Sequence, residues 1–358
     1  MKDDISMKES PKRRNTRRIM TGLAILFSLS VAAAIAGLVA FAYLDAPTGL
    51  VGAEGQPFEV RSGDSGDGVA ERLERQGLIR SSLLFRALVR VRGTAGLVKK
   101  GTYLVTPELT TRELLDLLAS GRQMLVRVTI PEGLASSRIA TLLEEAGVCA
   151  AEAFLDATRD SALLAGLGLQ AGSAEGYLFP DTYLFEPGTD PARVVAAMVR
   201  AFRGALEREA PEALALAPAE LHAKVIVASI VEREYRAPDE APVMAGVFYN
   251  RIRIGMPLQS CATVVYVITE ELGKPHPELL LFRDLEIESP FNTYLNRGLP
   301  PAPIANPGLV ALRAALEPEE TEYLYFRLVD AAAGRHKFSV TYDEHEDAAP
   351  LAVKRSGS

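Results

Sequence analysis

The chain opens on a short polar stretch and passes at once into an unbroken apolar one. From Ile19 to Leu44 it reads IMTGLAILFSLSVAAAIAGLVAFAYL, 26 residues without one Asp, Glu, Lys or Arg. Roughly 20 apolar residues cross a bilayer as a helix, so residues 19–44 are predicted to form a transmembrane helix. Asp45 to Pro57 (DAPTGLVGAEGQP) then shows no apolar period and is rich in Gly, Pro and Ala, the composition of a linker.

Beyond residue 57 the apolar positions alternate between period 2 and period 3.6. Phe58 to Leu78 reads as a short strand, a Gly/Asp turn and a helix carrying Val69 and Leu73 that closes at Gly77. Ser81 to Arg92 and Thr111 to Ser120 give two further helices, the second capped by Thr110 or Thr111 with Glu113 following, and Gly101 to Thr106 lies between them as a strand. Together they form a small α/β module over residues 58–122. A larger unit, residues 123–350, opens on the alternating strand Gln123 to Pro131. Its predicted helices are Ser136 to Ala146, Ala151 to Thr158, Pro191 to Arg208 and Val243 to Arg253. Between the last two, Leu221, Val225, Ala228 and Glu232 fall on one face of a further helix. Ala210 to Ala219 reads as a loop. Leu258 to Pro307, dense in Asn, Pro, Thr and aromatics, reads mostly as ordered loop of a length that is usually functional. Tyr323 to Leu328 and His336 to Val340 flank the turn Asp330 to Gly334 as a hairpin, and the tail 351–358 is read as frayed. The expected fold class is α+β: a transmembrane helix, a small α/β module and a larger α+β domain.

Charge adds a direction to this layout. Residues 1–18 carry seven basic and three acidic side chains, whereas after the apolar run comes Asp45 and no basic residue until Arg61. That asymmetry predicts a cytoplasmic N-terminus and an exported remainder. A cleaved signal is the competing reading, since Ala40-Phe41-Ala42 fits a small-x-small cleavage site. The run exceeds the roughly 7–15 residues of a signal h-region, which favours an uncleaved anchor. The +4 at the start leaves −11 for the rest of a chain whose total is −7, which excludes a typical nucleic-acid binder. Cys149 and Cys261 either pair or stand as separate thiols. The four histidines are scattered, and no Walker loop, G-x-G-x-x-G, H-E-x-x-H, C-x-x-C or G-x-S-x-G occurs, so no metal or nucleotide cofactor is expected.

Glu232 is the residue with chemical promise, because its helical position continues an apolar stripe. Desolvation there would raise its pKa and suit a general acid. An ordinary ion pair with Arg233, Arg236 or Arg251 is the alternative that spacing leaves open. Glu234, about 200° further round the helix, is expected to face water. Tyr177, Phe179 and Tyr183 offer ring faces to a sugar, and Asn250, Gln259, Asn292, Thr293 and Asn296 offer polar partners, although each type also serves cores and loops.

Taken in order, Glu175-Gly-Tyr-Leu-Phe-Pro-Asp-Thr-Tyr183, Ala228-Ser-Ile-Val-Glu-Arg-Glu234, the run from Val247 to Leu258-Gln-Ser260 and the run from Ser289-Pro-Phe-Asn292 to Asn306-Pro-Gly308 resemble the successive blocks of the endolytic murein transglycosylase family, the YceG-like domain. Tyr323-Leu-Tyr-Phe326 and His336-Lys-Phe-Ser339 fit its closing hairpin. The resemblance covers residues 58–347, and the family's layout includes an N-terminal anchor. It implies that Glu232 is the catalytic glutamate and that Tyr177, Asp181, Tyr183, Asn250, Gln259, Asn292, Thr293 and Asn296 meet substrate. It implies peptidoglycan strands as substrate, cell-wall synthases (penicillin-binding proteins) as partners, and an inner-membrane protein with an extracytoplasmic catalytic domain. The implied reaction cuts the MurNAc–GlcNAc bond of nascent strands, leaves a 1,6-anhydro end and so helps to terminate glycan elongation. Phe58 to Leu78, with Val60-Arg-Ser-Gly-Asp-Ser65 as its turn, resembles the start of a LysM-like module. One departure stands out: Cys261-Ala262 occupies the place of the family's usual Asp-Pro. Two rivals remain, a hydrolytic muramidase drawing a second carboxylate from Glu175, Asp181 or Glu234, and a non-enzymatic cell-wall-binding scaffold.

Overall fold

The computed structural model describes residues 11–93 and 98–348, so the tail expected to fray lies outside the described residues. The chain divides into two compact units between Met124 and Leu125.

In the first unit, α1 (Pro11–Asp45) is one continuous helix. Its segment Met20–Asp45 is long and apolar enough to cross a membrane, a test that a signal sequence also passes. There follow β1 (Gln56–Val60), α2 (Gly66–Arg75), α3 (Ser82–Val91), β2 (Gly101–Val105) and α4 (Thr111–Ser120). The strands pair antiparallel with Phe58 opposite Tyr103. Strand alternation places Phe58, Val60, Tyr103 and Val105 on the inner face, where Val69, Leu73, Phe85, Leu114 and Leu118 complete a closed core. Thr110, not Thr111, is the cap of α4, and it exchanges hydrogen bonds with Glu113 in a reciprocal capping box.

The expected linker is tied down. Asp45 is only 3% exposed, and its carboxylate accepts from Arg112 Nε at 2.6 Å and from the Arg112 backbone N–H at 3.1 Å, in the first turn of α4. The Arg112 guanidinium lies over the Phe41 ring. Arg80 lies over Tyr43 and donates to the carbonyls of Ala46 and Pro47, and Gln56 and Pro57 already belong to β1. The two ends of the linker are fixed by groups from distant parts of the chain, which composition does not show.

The second unit runs β3 (Val126–Thr129), α5 (Ser136–Glu145), α6 (Ala151–Arg159), α7 (Ser161–Gly166), β4 (Thr182–Phe185), α8 (Pro191–Glu209), α9 (Pro218–Glu234), α10 (Ala241–Arg253), α11 (Cys261–Tyr266), α12 (Leu309–Leu316), β5 (Tyr325–Asp330), β6 (Arg335–Ser339) and α13 (Tyr342–Asp347). β3 pairs antiparallel with β4, Thr129 opposite Thr182, and β5 with β6. The expected loop 210–219 contains a 3₁₀ turn, Pro211–Ala215, and the start of α9. Within the expected loop 258–307, α11 continues into a single π-helical turn, Val267–Glu271. The unit is built around α9, which packs against α10, α11 and α12. Every residue from Val225 to Val231 is buried, so this middle stretch of α9 is enclosed on all sides where a one-faced stripe was expected, and Leu221 is only half-buried.

Candidate active site

Glu232 lies in the last turn of α9, where the enclosed helix emerges. Its Oε2 accepts the backbone N–H of Gly308 at 2.9 Å, from the loop that leads into α12. The loop after β3 closes over the other side: Gly133, at φ +74°, lies so close that a Cβ there would stand 3.4 Å from Glu232 Cγ. At Gly308 a Cβ would overlap the Glu132 carboxyl group, so only glycine leaves room for Glu132 to lie against this backbone. Glu232 and Glu132 thus share Gly308 as a neighbour. Burial pushes the Glu232 carboxyl up to about 7, opposed by the Gly308 N–H; the negative charge of Glu132 adds to the rise and Arg233 opposes it. Tyr235, pushed up to about 12 mainly by burial, feels both carboxylates.

The ion-pair alternative is not what the structure forms. Arg233 donates to the Gly133 carbonyl at 3.0 Å, and buried Arg251 donates to the carbonyls of Leu324 and Leu258. A carboxyl group that is protonated near neutrality and has a fixed N–H donor on one oxygen can give up a proton and remain stabilised once ionised.

Asn306, 1% exposed, holds the surrounding loops together. Its Oδ1 accepts from the N–H groups of Gly176 and Leu178 at 2.8 and 2.9 Å. Its Nδ2 donates to the Leu134 carbonyl and, at 2.7 Å, to Glu175 Oε1, while its own carbonyl accepts from Gly133. Glu175 in turn accepts the Ser136 N–H at the start of α5 through both oxygens. Burial pushes Glu175 to about 7 against those bonds. One amide therefore locks the loops carrying Gly133, Gly176 and Gly308, and so the position of the N–H that meets Glu232.

Glu234 does not face water as expected. It accepts the Ser260 hydroxyl at 2.5 Å, and burial raises its pKa. The Ser260 N–H is bonded to Thr293 Oγ1, which links the end of α9 to the long loop. Next to it, Cys261 is exposed with its Sγ 3.1 Å from the Tyr294 hydroxyl. Cys149 and Cys261 are separate free thiols.

The other expected sugar contacts separate clearly. Tyr177 is a core residue, 3% exposed, its hydroxyl on His222 Nδ1 and its ring edge-on to Phe202. Tyr183 is half-buried, donates to the Phe179 carbonyl and stacks on Phe185. Asn250, Asn292 and Thr293 are buried and tie loops through backbone bonds. Tyr177, Asn250, Asn292 and Thr293 hold the fold, while Tyr183 keeps part of its ring exposed. Asn296 is exposed, with its Nδ2 on the carbonyls of Ser289 and Asn292. Asp181 is exposed and accepts the Thr182 N–H. Gln259 is exposed and adopts φ +50°, the left-handed region that a glutamine seldom enters, which is the kind of strain that functional loops store. Glu132, Gly133, Asn306 and Gly308 are the site residues that sequence reasoning passed over. Pro131-Glu-Gly133 and Asn306-Pro-Gly308 do carry turn signals, but nothing local says that the two turns meet.

The sequence profile of the YceG-like family matches residues 58–350. The chain is 30% identical to the endolytic murein transglycosylase of Bacillus subtilis (strain 168), over 81% of this chain and 83% of that one. It is 29% identical to the protein of the same name from Streptococcus pneumoniae (strain ATCC BAA-255 / R6), over 78% of this chain and 55% of the relative, and so spans about half of that protein's length. The crystal structure of a putative yceG-like protein from Listeria monocytogenes superposes with a TM-score of 0.55 at 28% identity, covering 83% of this chain and all of the other.

Proposed function

The chain belongs to the YceG-like family, and from that premise we propose that it is an endolytic lytic transglycosylase of peptidoglycan with Glu232 as its single acid and base. The observation that carries this reading is the Glu232 carboxyl group, pushed up to about 7 by burial and held by the Gly308 N–H. In the proposed reaction the Glu232 proton passes to the glycosidic oxygen as the bond to C1 of N-acetylmuramic acid breaks. The 6-hydroxyl of the same sugar then bonds to C1, and its proton returns to the Glu232 carboxylate. No water is consumed, and the new end is a 1,6-anhydro sugar. A hydrolytic route needs a second carboxylate. Of those expected for it, Glu175 has both oxygens committed to the Ser136 N–H, Glu234 accepts the Ser260 hydroxyl and Asp181 is exposed, so the mass of the product decides between the two routes.

We further propose that α1 anchors the protein in the cytoplasmic membrane with its N-terminus inside, as its length and flanking charge support. In this reading the β-α-α-β order of β1 to β2 is a LysM-like glycan-binding module, and the enzyme cuts nascent strands beside the synthases that make them, ending their elongation. Digestion of purified peptidoglycan by the wild type and Glu232→Gln, with products weighed, tests the reading. Anhydro ends, one water lighter than reducing ends and absent with Glu232→Gln, are expected. Reducing ends alone would sink the lytic assignment.

A further inference from the structure

A cavity of about 580 Å³ opens beside the site, and Gly133 belongs both to its wall and to the loop that packs on Glu232. Clefts that take small ligands run to roughly 300–1,000 Å³. Three cations line this one: Arg138 from the first turn of α5, Arg233 from the end of α9 and Lys274 just past the π-helical turn. Arg233 donates to Gly133. The exposed head groups of Arg138 and Lys274 have no hydrogen-bond or ion-pair partner among the described residues. The one carboxylate in the lining, Glu270, accepts the Ser137 hydroxyl at 2.5 Å. Unpaired cations thus gather beside the proposed acid in a chain whose total charge is −7.

We propose that this cavity binds the carboxylates of the peptide branch carried by the muramyl sugar at the point of cleavage. The inference rests on the reading of Glu232 given above. The sugar backbone of peptidoglycan is uncharged, and its carboxylates lie on the branch attached through the lactyl group of N-acetylmuramic acid. Cutting at that sugar's anomeric carbon places the sugar beside Glu232, and its branch then projects into whatever adjoins the site. Guanidinium and ammonium groups recognise carboxylates by charge-assisted hydrogen bonds. A lactyl carboxylate alone would fill little of the 580 Å³, whereas a short acidic peptide would occupy it.

The test removes the two unpaired cations together, Arg138→Ala with Lys274→Ala, in the full chain. kcat/KM is compared on peptide-bearing strands and on strands stripped by an amidase, which exposes the lactyl carboxylate. The double variant is expected to lose about tenfold on peptide-bearing strands, and no more than about twofold on stripped ones. Equal loss on both would assign the cavity to the lactyl group or to general glycan contact and overturn the proposal, as would no loss on either. A second arm needs no turnover. The Glu232→Gln protein is titrated calorimetrically with the GlcNAc-MurNAc-tetrapeptide and with the peptide-free disaccharide. The peptide-bearing ligand is expected to bind about tenfold tighter, and the double substitution is expected to abolish that advantage. If the advantage appears although wild type cleaves nothing, the cleavage reading fails and the peptide site stands. If cleavage occurs and the advantage is missing, the cavity proposal fails alone.

Discussion

Replacing Glu232 by Gln should make the protein more stable at pH 8 and leave it unchanged at pH 4. In the folded chain burial moves this carboxyl from its ordinary 4.5 up to about 7. The native state therefore holds the proton more tightly than the unfolded chain does. Below about pH 4.5 both states are protonated and the burial costs nothing through ionisation. Between 4.5 and 7 the unfolded chain gives up its proton first, and stability falls as pH rises; above 7 the full cost is present. At about 1.4 kcal/mol per tenfold change in proton affinity the shift corresponds to about 3 kcal/mol. Glu232 is partly exposed, and water screening brings the expected figure to roughly 1–3 kcal/mol. Glutamine has no charge to desolvate, and its amide oxygen still accepts the Gly308 N–H. Glu175 and Glu234 are common to both proteins and cancel. Scanning calorimetry of the detergent-solubilised chain should give Glu232→Gln a melting temperature higher by roughly 3–8 °C at pH 8, with the gap closing at pH 4. A gap of equal size at both pH values, or a wild type that is more stable at pH 8, would refute the account of Glu232 as a desolvated acid.

Three further outcomes follow from the same geometry. Because the proposed acid must be protonated, kcat/KM for glycan cleavage should fall about tenfold per pH unit above pH 7; a rate still rising at pH 9 would exclude Glu232 as the proton donor. Asn306→Ala strips partners from Gly176, Leu178, Leu134 and Glu175 at once and should cost at least about 3 kcal/mol in urea unfolding. Gly308→Ala puts a methyl group where the Glu132 carboxyl lies; Glu132 is exposed and can swing aside, so the Gly308 N–H stays on Glu232 and cleavage, measured by product mass, should change by less than about threefold.

Local signals in the chain located most helices of both units and the cap of α4, where Thr110 and Glu113 lie three residues apart and act on each other. The shorter elements escaped because a few residues give no measurable period: α7 has 6 residues and β4 has 4. β4 was hidden further because Asp181 and Tyr183 read as ligand-binding groups while the backbone from Thr182 onward was pairing with β3. Glu234 was misplaced by a helical-wheel argument that assumes one wet face, and the end of α9 has none beside Ser260. The site itself depends on contacts across long separations. Gly308 meets Glu232 from 76 residues away and Asn306 meets Glu175 from 131, and neither pairing leaves a local trace. What chemistry could read was residue type: a carboxyl at the end of an apolar helix.

The clamp at Asp45 changes what the N-terminal helix can transmit. A tether of Gly, Pro and Ala would pass on only a leash length and leave its cargo free to swivel. With Asp45 bonded to Arg112, and Arg80 gripping Tyr43, Ala46 and Pro47, α1 and the β1–α4 module turn as one shaft. A tilt or twist applied to the helix reaches the module undiminished, and tension on whatever the module holds is felt along the helix. Asp45 with Arg112, and Arg80 with Tyr43, Ala46 and Pro47, are thus two couplings through which torque crosses, and both would have to be cut to let helix and module swivel apart.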